Sequence, residues 1–170
     1  MKAHIEKEFI EACSMHTDSL FRYCFFKVSD REVAKDLVQD TFMKTWNYLT
    51  KGEEIDNIRA FFYRILNNLI IDEYRKKKSI SLEILEESGF EPEFNEVEIL
   101  ENNIDATYAL SLLDKIPQMY KDIIVLRYVE DLSIKEIALI TNQPENTVSV
   151  KLHRGLKKAQ EIFKSQNSTE

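Results

Sequence analysis

The chain has 170 residues and a formal charge of −7, with 23 Lys and Arg against 30 Asp and Glu. This length allows one ordinary domain or two small ones, and the acidic balance taken alone argues against a nucleic-acid-binding protein, whose surface is usually basic. No apolar run approaches the roughly 18 residues that span a bilayer, and the charged N-terminal stretch lacks the apolar core of a secretory signal, so we expect a cytoplasmic protein without direct membrane insertion.

Helical periodicity dominates the chain, in which Gly and Pro number only three each. Three helices are predicted to form a first domain over residues 1–79. Their expected inward positions are Ile5, Phe9, Cys13, Leu20, Phe21, Cys24 and Val28, then Val33, Leu37, Val38, Phe42, Trp46 and Leu49, then Ile58, Phe61, Phe62, Ile65, Leu66 and Leu69. Either Ser29 or Asp30 caps the second helix, and either Asp56 or Asn57 starts the third.

The third predicted helix runs into a basic stretch. Its cations are Arg59, Arg64, Arg75, Lys76, Lys77 and Lys78. Aromatic rings and the amides of Asn67 and Asn68 lie among them, and single-stranded DNA is held by this combination of stacking and charge. Periodicity assigns Phe61 and Phe62 to the core rather than to base stacking.

Residues 80–105 carry nine acidic side chains and no Lys or Arg, so this segment has a charge of −9 and the rest of the chain +2. Gly89 and Pro92 lie in the same segment, and the shift in composition predicts a linker between two domains. Its carboxylates form either a solvated connector or a shield for basic faces, and both interpretations stay open.

The second predicted domain, residues 106–170, is a helix-turn-helix candidate. Apolar residues from Leu100 to Ile116 suggest one or two helices, and Pro117 suits the first turn of the next. Ser133 and Glu136 form a capping-box pattern that starts a short helix. The turn 141–144 ends it, and Asn146 or Thr147 caps a basic helix from about Val148 to Ser165.

In such a motif, the N-terminal part of the second helix contacts base edges in the major groove. The candidates for base contacts are Thr147, Ser149, Val150, His153 and Arg154, and those for phosphate contacts are Lys151, Lys157 and Lys158. Arg154 alone among them can pair with guanine through two hydrogen bonds.

Catalytic and metal-binding patterns are weak. Cys13 and Cys24 are expected to be reduced, mostly buried thiols, and a metal site built from Cys13, His16 and His4 would have only three loose ligands. The chain contains no Ser-His-Asp arrangement, zinc-protease motif or phosphate loop. We therefore expect no enzyme, no catalytic residues, no metal and no cofactor.

Four stretches together resemble the extracytoplasmic-function sigma factors of bacterial RNA polymerase. DREVAKDLVQDTFMKTW is similar to their polymerase-binding helix, and IRAFFYRILNNLIIDEYRKKK to their promoter-melting helix. LLDKIPQMYKDIIVLRYVEDLSIKEIALI and TVSVKLHRGLKKAQEIF are similar to their C-terminal helix-turn-helix domain. The resemblance covers most of the chain outside the linker and implies an all-α fold of two small helical domains.

The resemblance also implies an alternative sigma factor that binds core RNA polymerase and opens promoter DNA to initiate transcription. The implied polymerase contacts are Asp36, Gln39 and Asp40. The implied contacts to the −10 element are Asn68, Asp72, Arg75 and Lys76, to which the basic helix adds Arg59, Arg64 and Lys77. The implied −35 contacts are Ser149, Val150, Lys151, His153 and Arg154, with Thr147 and Lys157 beside them. The loop from Thr50 to Asn57 would receive a flipped base, and an anti-sigma factor, often membrane-anchored, is the implied inhibitor.

The chain departs from the family pattern at a few positions: Phe61 replaces a usual Trp, Ser149 and Val150 are less polar than usual, and Gly155 replaces a usual Ala. A conventional repressor or activator is the alternative, because it needs only the helix-turn-helix. That alternative leaves the acidic-face helix and the melting helix unexplained.

Overall fold

A computed structural model describes residues 2–88 and 113–167, with side chains in 4–79 and 113–165. Most of these residues are helical, and they include no strand. The chain divides into two compact units, Met1–Val97 and Glu98–Glu170. The all-α class expected from the sequence is confirmed.

The first unit contains helices α1 (Lys2–Val28), α2 (Arg31–Thr50) and α3 (Ile58–Ser88). Asp30 is the N-cap of α2, since its carboxylate accepts hydrogen bonds from the backbone N–H groups of Glu32 and Val33, both at 3.0 Å. Asn57 fills the same role before α3, accepting from the Ala60 N–H at 2.9 Å. Side chains that satisfy free N–H groups thus set both helix starts.

The three helices pack against one another around apolar side chains. The buried members are Leu20, Tyr23, Cys24, Val28, Ala34, Leu37, Val38, Ala60, Phe62, Tyr63, Leu66, Leu69 and Ile70. On α2 the buried stripe differs from the prediction, because Thr41 and Thr45 are completely buried while Phe42 and Trp46 are half-buried. The threonine hydroxyls tolerate burial since each donates at 2.8 Å to a carbonyl one turn earlier.

Helix α3 continues nine residues beyond residue 79, where the first domain was predicted to end. Its last turns therefore lie in the stretch 80–105 that was predicted as a linker. The division between the two compact units also falls inside that stretch, after Val97. The helices predicted between residues 100 and 112 lie outside the described residues.

The second unit contains α4 (Gln118–Ile124), a π-helical turn (Val125–Val129), α5 (Ile134–Thr141) and α6 (Glu145–Asn167). Pro117 lies just before α4, and its carbonyl accepts from the Tyr120 N–H at 2.9 Å. The widened turn leads into α5, which begins with the predicted capping box between Ser133 and Glu136.

The turn between α5 and α6 depends on Asn142, which adopts the left-handed conformation with φ 52° and ψ 47°. Asn tolerates this conformation better than most residues. The start predicted for α6 was wrong. Pro144 occupies the cap position and its carbonyl accepts from the Val148 N–H at 3.1 Å, so Asn146 and Thr147 lie within the first helical turn.

Gly155 of α6 lies directly against α4. A Cβ atom added there would be 2.9 Å from the Tyr120 Cβ and 3.0 Å from the Ile124 Cδ1. The departure from Ala noted in the sequence therefore has a packing reason, because only Gly leaves room for the neighbouring helix.

We expect Gly155→Ala to destabilise the second unit by about 1 kcal/mol. Alanine gains roughly 1 kcal/mol in helix propensity, but overpacking against the inflexible Tyr120 Cβ costs roughly 1–3 kcal/mol. Hydrogen exchange of the α6 amides in the full chain measures the difference. Slower exchange in the variant would contradict the predicted clash.

Candidate nucleic-acid and polymerase interfaces

The outer face of α2 carries the predicted polymerase contacts. Asp36, Gln39 and Asp40 are all exposed, while Leu37 on the opposite side is buried. Spacings of three and four residues place the three polar side chains on one face of the helix. They form a continuous polar surface that can bind a partner without disturbing the core.

Met43 is a member of this face that the sequence did not suggest. It lies one turn beyond Gln39 and Asp40, and 60% of the residue is exposed. Exposed methionines are common at adaptable binding surfaces. Its spacing of four and three residues from Gln39 and Asp40 could have placed Met43 on this face. An apolar residue such as Met is, however, normally assigned to the core from sequence.

A second exposed face lies on α3. Arg64, Asn68, Asp72 and Arg75 follow at spacings of three and four and are all exposed, as are Lys76 and Lys77. The Asp72 carboxylate lies 3.6 Å from an Arg75 guanidinium nitrogen. The face is therefore cationic overall and carries one carboxylate, paired with a member of the same face.

Arg59 is separated from that face. It is half-buried at the start of α3, and its charge acts on the imidazole of His16. Burial first, and then the Arg59 charge, lower the pKa of His16 below its usual value. A role for Arg59 in binding DNA stays a prediction, but its surroundings differ from those of the other cations.

Two aromatic residues of α3 belong to the core. Phe62 and Tyr63 are completely buried, and Tyr63 packs edge-on against Tyr23 at 5.5 Å between ring centroids. The Tyr23 hydroxyl donates to the Asn67 carboxamide at 3.2 Å. Base stacking on Phe62 or Tyr63 is therefore excluded in this conformation. Of the two neighbouring amides, Asn67 and Asn68, it is Asn68 that is exposed.

The outward face of α6 carries the predicted upstream-element contacts. Ser149, Val150, His153, Arg154 and Lys157 are exposed, and Thr147 is half-buried. Val148 and Gly155 are buried on the opposite side of the helix. The polar and cationic residues thus point away from the unit and can enter a DNA groove.

Lys151 has a different environment. It is half-buried, and its ammonium group donates to the Gln143 side-chain oxygen at 2.6 Å. This bond ties α6 to the turn before it and holds the Lys151 charge in one position, which suits contact with a single phosphate.

The suspected metal ligands do not converge. In the described parts of the chain, no group of three His, Cys, Asp or Glu side chains could hold a metal ion. His4 lies 3.2 Å from Glu8 on the surface, whereas His16 packs against the Phe62 ring. Burial raises the pKa of the Cys13 thiol to about 11 and of the Cys24 thiol to about 12, so both are protonated at neutral pH.

The exposed faces of α2, α3 and α6 lie in regions that match known protein families. The family model of Sigma-70 region 2 matches residues 14–80, and that of Sigma-70 region 4 matches residues 107–158. RNA polymerase sigma factor SigV of Bacillus subtilis is 33% identical over 148 residues, covering 84% of this chain and 82% of SigV.

The chain is an extracytoplasmic-function sigma factor. A further relative, ECF RNA polymerase sigma factor SigW of Bacillus subtilis, is 29% identical over 86% of this chain and 84% of SigW.

Solved structures share the fold. The sigma factor RpoE of Bartonella quintana, solved with the anti-sigma factor NepR, has a TM-score of 0.72 at 23% identity, covering 93% of this chain and 98% of RpoE. CnrH, solved with the cytosolic domain of CnrY, has a TM-score of 0.66 at 21% identity, covering 94% of this chain and 90% of CnrH.

The two matched regions include every predicted contact of this sigma factor. Region 2 spans the outer face of α2 and the cationic face of α3, and region 4 spans α4, α5 and α6 as far as Lys158. No helix within the described residues is long and apolar enough to cross a membrane.

Proposed function

We propose that this sigma factor binds core RNA polymerase through the outer face of α2 and directs it to promoters through two DNA-binding faces. The observation that carries the proposal is the presence of two exposed cationic helices in separate units, each inside a matched sigma-70 region. One helix suits the −10 element and the other the −35 element. Recognition of two elements by one chain fixes both the position and the direction of the polymerase.

The cationic face of α3 would stabilise the opened −10 element. Arg64, Arg75, Lys76 and Lys77 neutralise backbone phosphates, and the Asn68 amide reaches an unpaired base. Unstacking a base costs a few kcal/mol per step, so a protein that captures the extruded base can favour strand opening without ATP.

The loop between α2 and α3 is the proposed receptor for that base. Most of its residues are exposed, and Gly52 has a φ of +86° with no heavy atom beyond its chain neighbours within 4 Å of where its Cβ would lie. An exposed loop beside the start of α3 is accessible to a flipped nucleotide.

The helix-turn-helix would read the −35 element. The outward face of α6 enters the major groove, where Arg154 pairs with guanine and Lys151 and Lys157 contact phosphates. A repressor would use the same helix, but would have no need for an exposed polar face on α2.

Transcription on fragmented genomic DNA tests the proposal. Core polymerase from the native host transcribes this DNA with and without the purified chain. The 5′ ends of the transcripts are then sequenced. We expect new, discrete start sites that share two upstream elements. Promoter binding by the chain without a stable complex with core enzyme would support the repressor instead.

Asp40→Lys should weaken binding to core polymerase by about tenfold, because it reverses a charge in the proposed contact surface. Asp18→Lys on α1 is the matched control, since Asp18 is also exposed and undergoes the same change in charge. Titration of fluorescently labelled chain with core enzyme measures both affinities. Equal affinities for the two variants would contradict the assignment of the α2 face.

The remaining partner is proposed to be an anti-sigma factor, membrane-anchored or not, that covers the polymerase- and DNA-binding faces in the cytoplasm. Support comes from RpoE and CnrH, which were solved with NepR and with the cytosolic domain of CnrY. Such a partner would keep the sigma factor inactive until a signal releases it.

A further inference from the structure

Asn146 lies in the first turn of α6, where the sequence had suggested a capping role. Pro144 occupies the cap position instead, and the Asn146 side chain is exposed. We propose that Asn146 is a specificity-determining residue that reads an adenine in the upstream promoter element. The inference rests on the proposed function of α6 in DNA recognition.

The position of Asn146 on the helix supports this role. Val150, His153 and Lys157 follow it at spacings of four, three and four residues, so all share one exposed face. Val148 and Gly155 are buried on the other side, which orients the whole face outward. The N-terminal residues of a recognition helix are those that reach base edges, and Asn146 is the second residue of α6.

The chemistry of the side chain selects the base. A carboxamide presents one acceptor and one donor side by side, and adenine offers the matching N6 donor and N7 acceptor in the major groove. The other amide beside Pro144 is already engaged, because the Gln143 oxygen accepts from Lys151 at 2.6 Å. Glu145 is exposed as well, but a carboxylate offers acceptors only.

The test uses the full chain assembled with core polymerase. The holoenzyme selects from promoter DNA in which the upstream element is randomised, and the bound fraction is sequenced. Wild type, Asn146→Ala and Asn146→Asp are compared, with Gln160→Ala as the matched control. Gln160 is also an exposed amide on α6 but lies four turns further along the helix.

For wild type we expect a preference for A·T at one position of the element. Asn146→Ala should reduce that preference by roughly 5- to 150-fold and leave the other positions unchanged. Asn146→Asp should shift the preference toward cytosine, whose N4 group donates to a carboxylate. Gln160→Ala should match wild type.

An unchanged base profile for Asn146→Ala would overturn the inference while leaving the proposed function intact, as would an equal loss of affinity on all sequences. If the wild-type holoenzyme selected no sequence at all, the proposed function itself would fail. The two failures are therefore distinguishable in one experiment.

Discussion

Phe62→Ala should lower the free energy of unfolding of the first unit by roughly 3–5 kcal/mol. The Phe62 ring is completely buried in α3 and packs against Phe42 at 5.1 Å and Phe9 at 6.2 Å between ring centroids. It thus touches both other helices, and its removal leaves a cavity where all three meet. Total stabilities of small domains are about 5–15 kcal/mol, so the polymerase-binding face should lose much of its support.

Urea unfolding followed by tryptophan fluorescence measures this change. Trp46 is the single tryptophan of the chain and packs against Phe9 with 5.2 Å between ring centroids, so its emission reports on the first unit alone. Phe61→Ala is the matched control, because Phe61 is half-buried and its ring contacts Tyr48 at the edge of the core. Equal losses for the two variants would contradict the central position assigned to Phe62.

Arg154→Ala should cost roughly 1–3 kcal/mol in binding to the cognate upstream element, and the loss should be confined to one base pair. The guanidinium is exposed on the outward face of α6, between Val150 and Lys157. Its planar fork can donate two parallel hydrogen bonds to a guanine, whereas a lysine cannot. Arg154→Lys should therefore keep the charge and still lose the base preference.

Lys157→Ala distinguishes sequence-specific base contacts from sequence-independent attraction to the DNA phosphates. A lost phosphate contact should weaken binding to all sequences alike and reduce the slope of affinity against salt concentration by about 1. Holoenzyme binding to promoters with single base-pair substitutions, measured at several salt concentrations, compares the two residues. A uniform loss for Arg154→Ala would mean that Arg154 contacts a phosphate.

Much of the fold was predictable because its determinants are local. A carboxylate such as Asp30 satisfies free N–H groups two and three residues away, and the Ser133–Glu136 capping box acts over the same distance. Asn142 in the turn reflects a conformational preference of a single residue. Such interactions can be inferred from spacing alone.

Burial within each helix was less predictable. Thr41 and Thr45 occupy the centre of α2 because their hydroxyls bond to the preceding turn, and periodicity had favoured the larger Phe42 and Trp46. Tyr63 was not among the predicted core positions, yet it is completely buried against Tyr23. Hydropathy does not say which of several apolar faces another helix covers.

The candidate interfaces show the same division. Spacing placed Asp36, Gln39 and Asp40 on one face, and all three are exposed there. Whether a cation is free to meet DNA depends on packing between helices: Arg59 is half-buried beside His16, while Lys151 is tied to Gln143. Those contacts bring together residues whose relation no local pattern encodes.

The charge distribution could be determined from the sequence, whereas the packing around α6 could not. The sequence alone showed that residues 80–105 have a charge of −9 and that two basic helices lie elsewhere, because formal charges can be counted and added. The outward position of Asn146 and the need for Gly at 155 emerged from the packed helices. Each depends on how closely two distant segments approach, and that distance is set by the assembled core.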